Sequence, residues 1–340
     1  MKIGVLVATY NGEKYIKEQI DSIYNQTIKV DEIIVSDDNS TDNTVDVLKS
    51  YYNKDTNIDF KVVVNKGEHG VLRNFENAFR NSSADILFFA DQDDKWMNNK
   101  VELFVKAMQQ YPDCGCFFSD AYITDGNLMT TGATAWDVFF PDGKSFDTYA
   151  ILDKDFIAKR LVRGNIITGM CMAVRREILE NVFPINRFLL HDEAIAMYCA
   201  INNSIVAINK ETAYYRQHND NVVGLVSRFN SEETRRNSIY GLVKYSYCNL
   251  PDINFMYYKS EFYNNCDQDN QYNFISEFYR FMKKRYEYAH DNKFKASLKY
   301  FSLFIKNDYS KNLSNKYFIL DLAMTLFVNT KSRRKFFDEL

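Results

Sequence analysis

The sequence is poor in the residues that define fibrous, disordered and small disulfide-bonded proteins. Its 340 residues include only 12 glycines and 4 prolines, which excludes a collagen-like chain or a Pro/Gly-rich disordered chain. The six cysteines form no CxxC pair, so neither a zinc knuckle nor a disulfide scaffold is predicted, and we interpret them as reduced thiols. Hydrophobic residues make up 46% and charged residues 26%. These values are typical of a globular protein with a sizeable core.

Long apolar segments and nucleotide-binding glycine motifs are also missing. There is no stretch of about 18 uncharged apolar residues, so a membrane-spanning helix is not predicted. The N-terminal apolar run is too short for a signal peptide, so we expect the protein to face the cytoplasm. No GxGxxG or GxxxxGK(S/T) pattern occurs, which argues against a dinucleotide fingerprint and a P-loop.

Charge is distributed unevenly along the chain. Residues 1–225 contain 23 Lys and Arg against 32 Asp and Glu, whereas residues 226–340 contain 19 against 13. The acidic first part disfavours nucleic-acid binding. The mildly basic and aromatic second part is compatible with an anionic surface such as a membrane leaflet.

Apolar runs and helical periodicities alternate over the first 90 residues. Strands are predicted at 2–8, 31–36, 60–64 and 85–90, and helices at 15–25, from Thr41 or Asp42 to about Tyr52, and at 71–80. Continuous apolar strands alternating with helices predict a parallel sheet covered on both faces. In such sheets ligands bind beyond the carboxyl ends of the strands. Those ends are therefore where we expect the site.

The later pattern changes twice. Between 111 and 163 it is irregular, with a strand predicted at 117–121 and a long loop at 136–149 that we expect to shape a substrate pocket. After Gly224 only helix periodicity remains, with amphipathic helices predicted at 276–288, 293–306 and 316–328. We predict a boundary near 225–230, with a catalytic domain at 1–225 and a helical domain at 226–340.

Three carboxylates crowd the end of the fourth predicted strand, at Asp91, Asp93 and Asp94. Crowding of like charge is costly, and Mn²⁺ or Mg²⁺ would relieve it, because phosphate oxygens and water can complete an octahedron. The alternative is that Asp91 or Asp93 caps a helix beginning near Trp96. One carboxylate would suffice for that, so the pattern favours a metal site.

A second polar cluster, at 36–42, follows the second predicted strand. In isolation it would be interpreted as an Asx turn with a helix cap. Its position beside the first strand favours a nucleotide site, where a carboxylate accepts a base N–H or a ribose hydroxyl. Thr9 and Tyr10 end the neighbouring strand, and the Tyr10 ring could stack on a base.

Five segments occur in a recognisable order: VATYNG, VSDDNSTDNT, DQDD, HDE and YRQH. They resemble family 2 glycosyltransferases over about residues 3–224, and the combination of DQDD, TG, HD and YRQHxxNxxG most resembles bacterial rhamnosyltransferase-like members. The resemblance implies a GT-A-type α/β fold, a mostly parallel sheet flanked by helices, with a C-terminal helical domain. By that resemblance Asp38 contacts the base, Asp91 and Asp93 hold metal and diphosphate, Asp192 is the general base, and His218 is a further metal or diphosphate contact.

The HDE segment also suits base catalysis on chemical grounds. An inverting transfer needs one carboxylate to accept the proton of the acceptor hydroxyl. Glu193 is the alternative base to Asp192, and Asp192 could instead cap the helix that follows. We interpret His191 as a structural hydrogen-bonding residue.

Other residues are candidates for the donor or acceptor. Gly169 would let a sugar approach the backbone closely, and Arg216, before His218, is placed in the sugar or acceptor pocket. His218 could alternatively lock a loop. Arg73 and Asn74, at the start of a helix, could assist the pyrophosphate or simply form a solvated helix face.

The sequence therefore predicts a metal-dependent inverting glycosyltransferase of the hexosyltransferase class. The expected partners are a nucleotide-diphospho-sugar donor, with dTDP-L-rhamnose favoured, and a cell-surface polysaccharide or lipid-linked glycan acceptor. The alternatives are a UDP-hexose or UDP-galactofuranose transferase, a nucleotidyltransferase, or a non-catalytic carbohydrate-binding protein. For the helical domain we weigh a bundle packed on the catalytic domain against peripheral membrane contact, with acceptor or homo-oligomer contacts as further roles.

Overall fold

The computed structural model describes residues 1–52, 54–55, 57–140, 147–163, 165–186, 189–218, 250–289, 293–306 and 308. The chain divides into two compact units, residues 1–222 and 223–340. The boundary predicted at 225–230 and the helix predicted at 316–328 lie outside the described residues, as do residues 141–146 of the loop predicted at 136–149. The first part of that predicted loop is a short helix, Ala135–Phe139. The functions assigned to the two domains stay predictions.

Strands and helices alternate in the first unit. Its strands are β1 (Ile3–Thr9), β2 (Glu32–Asp37), β3 (Asp59–Val64), β4 (Ile86–Asp91), β5 (Lys95–Trp96), β6 (Cys116–Thr124), β7 (Thr130–Thr134), β8 (Tyr149–Ile151), β9 (Met172–Arg175) and β10 (Ile205–Arg216). Its helices are α1 (Ile16–Tyr24), α2 (Thr44–Lys49), α3 (Val71–Arg80), α4 (Lys100–Gln110), α5 (Ala135–Phe139), α6 (Lys154–Arg163), α7 (Arg176–Val182) and α8 (His191–Asn202). A 3₁₀ turn, Gly169–Cys171, precedes β9.

The strands form one sheet in the order β3-β2-β1-β4-β9-β6-β10-β5, with β7 beside β6 and β8 beside β10. The four strands from β3 to β4 are parallel, as predicted. The other half is mixed, because β9 runs antiparallel to both β4 and β6. A continuous apolar run indicates a strand buried on both faces but does not reveal its direction, so the sequence could not show this reversal.

The core lies between the parallel strands and the helices that cover them. All residues of β1 and β2 are buried. Helix α1 buries Ile16, Ile20 and Ile23 at helical spacing. Removing each such side chain from water contributes roughly 1.5–3 kcal/mol to folding. This rigid core fixes the positions of the strand ends.

Strand register brings the predicted site residues to one edge of the sheet. Thr9 at the end of β1 pairs with Asp37 at the end of β2. On the other side of β1, Ala8 pairs with Asp91 at the end of β4. The two acidic segments therefore flank β1 at the carboxyl ends of parallel strands, where ligands bind in such sheets.

The described part of the second unit is helical. Its helices are the first tail helix (Leu250–Cys266), the second tail helix (Asn273–Ala289) and the third tail helix (Lys293–Ile305). The last two confirm the helices predicted at 276–288 and 293–306, with ends shifted by up to three residues. Tyr300 is buried and its hydroxyl donates to the Arg285 carbonyl at 3.1 Å. No helix within the described ranges is long and apolar enough to span a membrane, and the predicted cytoplasmic location stays a prediction.

Candidate active site

The acidic loop after β4 carries carboxylates without enough compensating charge. Burial, together with the negative charges of Asp93 and Asp192, raises the pKa of Asp91 to about 7. Asp94 is buried, and its pKa is also raised well above the usual range by burial and by its acidic neighbours. One Asp94 oxygen accepts the Arg216 N–H at 2.9 Å. The other oxygen, Oδ2, has no hydrogen-bond partner in the described part of the chain.

The structure contradicts the helix-cap interpretation of this loop. The segment at Trp96 is the short strand β5, and helix α4 begins only at Lys100, with Asn99 as the residue before it. Neither Asp91 nor Asp93 is therefore a cap. The loop turns back to pair with β10 instead, where Lys95 lies opposite Tyr214.

His218 lies beside the acidic loop, as the metal prediction requires. Its Nε2 atom is 2.8 Å from Asp93 Oδ2. Within the described residues, no three His, Cys, Asp or Glu side chains are arranged to enclose a metal ion. Mg²⁺ and similar ions commonly use one or two carboxylates and fill the other positions with phosphate and water. Crowded carboxylates of raised pKa, with an imidazole beside them, fit such an ion.

A buried lysine near this loop was missed in the sequence. Lys100 is fully buried, its Nζ donates to the Met170 carbonyl, and it lies 4.2 Å from the centre of the Trp96 ring. Burial lowers its pKa to about 8, although the nearby acidic groups Asp94 and Asp91 oppose the shift. Lys100 and Phe104 are four residues apart on the buried side of α4, so helical periodicity could have indicated its burial.

Asp192 lies in the first turn of α8 with its carboxylate held in place. Oδ2 accepts the Gly169 N–H at 3.1 Å, and Oδ1 accepts the Glu193 N–H at 2.7 Å. Burial, with the charge of Glu193, raises the pKa of Asp192 to about 7, against the hydrogen bonds from Glu193, Asn165 and Gly169. A carboxylate with this pKa is suited to accept a proton near neutral pH.

Asp192 lies close enough to the acidic loop for its charge to affect Asp91. Its charge is one of those that raise the pKa of Asp91. Glu193 is still more deeply buried than Asp192. The residue before the helix is Leu190, so Asp192 is not its N-cap. The juxtaposition favours Asp192 over Glu193 as the base, and this assignment stays a prediction.

Gly169 has a structural reason to be glycine that differs from the one predicted. A Cβ atom there would lie 2.3 Å from Nε2 of His191. The His191 ring is buried against Phe75 and Phe89, with ring centres 4.4 and 4.9 Å apart. Burial lowers the pKa of His191 to about 3, so the imidazole is neutral. The space that a side chain at Gly169 would occupy is thus filled by His191, and the predicted approach of a sugar to Gly169 stays a prediction.

His191 itself differs from the expected structural hydrogen-bonding residue. Its Nε2 has no hydrogen-bond partner in the described ranges. The ring packs among aromatic side chains and acts as an apolar spacer between α8 and the sheet.

The predicted nucleotide carboxylates after β2 are already hydrogen-bonded. Asp37 accepts the Thr9 hydroxyl at 2.9 Å and both the N–H and hydroxyl of Ser40. Asp38 accepts the Gly70 N–H at 2.8 Å and the Asn65 amide at 2.9 Å. Thr9 is buried and orients Asp37, and Asp38 anchors the 65–70 loop. Their predicted contacts with a nucleotide stay predictions.

Tyr10 offers the exposed ring at this edge. Its side chain is 55% exposed, and its backbone is held on both sides by the Gln92 amide. Gln92 Oε1 accepts the Tyr10 N–H at 2.9 Å, and Gln92 Nε2 donates to the Tyr10 carbonyl at 3.0 Å. A Cβ at Gly12 would lie 2.3 Å from Gln92 Oε1. Gln92 therefore connects the end of β1 to the acidic loop, a role that the sequence analysis missed.

The Arg216 guanidinium is engaged by the protein, and its predicted place in the sugar or acceptor pocket stays a prediction. The residue is buried, and each guanidinium nitrogen donates to the protein: Nε to the Asp93 carbonyl, one amino group to the Gly126 carbonyl, and the other to Glu18. These contacts place Arg216 against the backbone of the acidic loop. Arg216 therefore stabilises the conformation of that loop through these hydrogen bonds.

Arg73 is also engaged by the protein. Nε donates to Glu68 at 2.9 Å, and one amino group donates to Glu76 and to the Ile185 carbonyl. It lines a cleft of about 530 Å³ beside β3 and α3. Asp91, Asp93 and Asp192 do not line this cleft. The predicted contact of Arg73 with a donor diphosphate stays a prediction.

Comparison with known proteins identifies the family of the chain. The model of the family described as Glycosyl transferase family 2 matches residues 4–183. An uncharacterized glycosyltransferase of Nostoc sp. is 30% identical over 65% of this chain and 66% of its own length. The dTDP-rhamnosyl transferase RfbG of Shigella flexneri is 29% identical over 67% of this chain and 77% of its own. The chain belongs to glycosyltransferase family 2.

The fold also has a counterpart among solved structures. The crystal structure of a Staphylococcus aureus TarS fragment in complex with UDP-GlcNAc matches with a TM-score of 0.54 and 15% identity, covering 98% of this chain and 92% of that chain. The predicted family and the GT-A-type fold are confirmed. The chain is a glycosyltransferase, so the nucleotidyltransferase and non-catalytic alternatives are wrong.

Proposed function

We propose that this glycosyltransferase moves a sugar, with inversion and with the help of a divalent cation, from a nucleotide-diphospho-sugar to a hydroxyl of a cell-surface polysaccharide or lipid-linked glycan. The observation that carries the proposal is that a candidate general base, Asp192, is near the candidate cation ligand Asp91. Asp192 is a buried carboxylate whose pKa is about 7, and its charge reaches the crowded loop at Asp91.

Asp192 accepts the proton of the attacking hydroxyl in this proposal. General-base catalysis is most effective when the pKa lies near the working pH, and burial gives Asp192 that property. Hydrogen bonds from the Gly169 and Glu193 N–H groups hold the carboxylate still. Such fixation lowers the cost of orienting the base at each turnover.

Asp91 and Asp93 would hold Mn²⁺ or Mg²⁺, with His218 next to Asp93. When bound, the cation would offset the negative charge that develops on the departing nucleoside diphosphate. The protein prepares this position through Arg216, whose side chain and backbone N–H hold the acidic loop. The unsatisfied Asp94 Oδ2 supports the same conclusion, because a nearby cation would lower the cost of that buried group.

The donor nucleotide is assigned to the ends of β1 and β2. The exposed Tyr10 ring provides a surface on which a base can stack. Asp38 fixes the 65–70 loop beside it, and one Asp38 oxygen lies 3.1 Å from His69 Nδ1. Arg73, in the neighbouring cleft, could reach the diphosphate only by giving up an ion pair.

For the donor we favour dTDP-L-rhamnose over UDP-hexose and UDP-galactofuranose. The support is the similarity to RfbG, which is named a dTDP-rhamnosyl transferase and aligns over 67% of this chain. The counterweight is TarS, whose crystal structure contains UDP-GlcNAc and which is 15% identical over 98% of this chain. The nearer relative is the better guide to the donor.

The test is release of nucleoside diphosphate from a panel of dTDP- and UDP-sugars with Mn²⁺, with Mg²⁺ and with EDTA. We expect metal-dependent release, highest with dTDP-L-rhamnose, and loss of release in Asp93→Ala. Equal release in EDTA would contradict the metal assignment. A UDP-sugar as the best donor would contradict the donor assignment alone.

A further inference from the structure

The third tail helix has two apolar stripes on opposite sides. One is buried inside the second unit and consists of Ala296, Tyr300 and Leu303. The other is exposed and consists of Leu298, Phe301 and Ile305, with exposed fractions of 56%, 51% and 69%. At about 100° per residue these two sets point in opposite directions around the helix axis. The exposed stripe therefore does not contribute to the buried core of the second unit.

Within the helix that carries the exposed stripe all charges have one sign, and the acidic Asp308 lies beyond its end. The helix Lys293–Ile305 contains three lysines and no acidic residue, and Lys306 follows it. Lys295, Lys299 and Lys306 are exposed and lie together along one flank of the exposed apolar stripe at helical spacing. Lysine stems can lie along apolar surface while their ammonium groups reach outward. The surface combines bulky apolar side chains with a row of cations.

We infer that this surface, Leu298, Phe301 and Ile305 with Lys295, Lys299 and Lys306, binds the face of an anionic phospholipid bilayer. A helix lying in the interface buries its apolar side chains at the boundary of headgroups and acyl chains, while lysines bind the anionic headgroups. Both components of the surface are used in that orientation. The inference goes beyond the proposed sugar transfer and does not depend on which donor is used.

A second copy of the chain is a poorer occupant of this surface. The commonest self-association is two-fold, with the same patch on both partners. Pairing this helix with itself would bring lysines towards lysines without a carboxylate from the helix to compensate them, and like charges across an interface are unfavourable. An anionic bilayer supplies the opposite charge.

The experiment is co-sedimentation of the full-length protein with vesicles. We compare pure phosphatidylcholine with phosphatidylcholine containing phosphatidylglycerol, at low and high salt. The wild type should bind the anionic vesicles and be released by salt, which screens exposed charges. It should bind the neutral vesicles much less.

Three variants locate the surface. Leu298→Ser/Phe301→Ser/Ile305→Ser should lower partitioning onto anionic vesicles by about tenfold or more, since the inserted apolar area is lost. Lys295→Gln/Lys299→Gln should weaken it and flatten its salt dependence. The matched control Tyr52→Ser/Met129→Ser/Ile151→Ser removes exposed apolar side chains of the first unit and should bind like the wild type. Helix content by circular dichroism verifies that each variant folds.

Three outcomes would overturn the inference. The first is that the folded wild type fails to bind anionic vesicles, and the second is that the folded triple tail variant binds them equally well. The third outcome is a wild-type dimer, seen by sedimentation velocity without vesicle binding, that the triple tail variant converts to a monomer. That result would assign the surface to a second copy of the chain.

Discussion

Two acidic clusters flank β1 at the same edge of the sheet, and their carboxylates have different surroundings. In the β2 cluster, Asp37 and Asp38, the carboxylates accept hydrogen bonds from hydroxyl, amide and backbone donors. In the β4 cluster, Asp91, Asp93 and Asp94, burial and mutual repulsion raise the pKa of the first and the last. Similar residues at neighbouring strand ends thus have opposite environments.

The difference separates carboxylates that build structure from carboxylates available for chemistry. Hydrogen bonds to the ionised form repay the cost of burying a carboxylate, so the β2 cluster can fix a loop without any ligand. In the β4 cluster the carboxylates repel one another when no ligand is bound, and binding of a cation or a proton would reduce that repulsion. Strongly perturbed groups of this kind concentrate at functional sites.

The largest expected effect is on turnover, in Asp192→Asn. The change keeps the shape of the side chain but removes its basicity, so transfer should fall by roughly 100-fold or more while donor affinity changes little. Steady-state transfer and donor binding are measured together. The matched control is Glu193→Gln, which should be much milder. If Glu193→Gln is inactive and Asp192→Asn turns over normally, the base has been assigned to the wrong carboxylate.

The next effect concerns the β4 cluster and ligand binding. Asp93→Ala removes a carboxylate that we assign to the cation, so the Mn²⁺-dependent part of nucleoside diphosphate binding should be lost, a change of about tenfold or more in affinity. Thermal shift with the nucleotide, with and without Mn²⁺, measures it, because a bound ligand stabilises the native state. Unchanged affinity with unchanged Mn²⁺ dependence would remove Asp93 from the site.

The β2 cluster should respond in stability. Asp38→Ala leaves the Gly70 N–H without its acceptor and removes one of the two acceptors of the Asn65 amide, which keeps the Glu68 carbonyl. This should lower the free energy of unfolding by about 1–3 kcal/mol. Urea unfolding measures this value. The control Asp46→Ala, at an exposed surface ion pair, should change it by less than about 0.5 kcal/mol. An Asp38 variant as stable as the wild type would mean that its hydrogen bonds do not hold the loop.

Local pattern explains why much of this arrangement could be predicted. The strands β1 to β4 and their helices follow from short periodicities, and the sheet rule then places Asp38 and Asp91 at one edge. Contacts between distant segments could not be predicted. Arg216 and Glu18 are 198 residues apart in sequence and meet through one hydrogen bond. No local signal identifies a partner at that distance, so the sequence does not predict that Arg216 binds Glu18.

Packing explains the other differences. The sequence analysis explains Gly169 by the approach of a sugar. In the structure, the side chain that leaves no room for a Cβ at Gly169 is His191, on another element. A glycine can mark a close approach of other atoms, but the sequence does not identify those atoms. The identity of the neighbour is a property of the folded core.

The smallest effect is a pH-dependent stability difference in Asp91→Asn. The folded pKa of Asp91, about 7, lies above its ordinary value of 3.8, so the native state binds the proton more tightly and Asp91 costs stability as pH rises through that window. In EDTA at pH 8 the Asn variant should melt roughly 2–4 °C above the wild type. The difference should shrink towards pH 5. A variant less stable than the wild type at every pH would contradict the crowding of this cluster.

The central claim is that the β4 cluster binds a cation, which relieves the repulsion between its carboxylates. The most direct test is to measure how many protons the protein releases when Mn²⁺ binds. Calorimetry at pH 7 in buffers of different ionisation enthalpy measures protons released when Mn²⁺ binds the protein with a nucleoside diphosphate. Metal binding to a partly protonated carboxylate must displace the proton. We predict more release than for Mn²⁺ and the nucleotide alone, and loss of the excess in Asp93→Ala. Absence of Mn²⁺ binding, or binding without excess release, would contradict the claim.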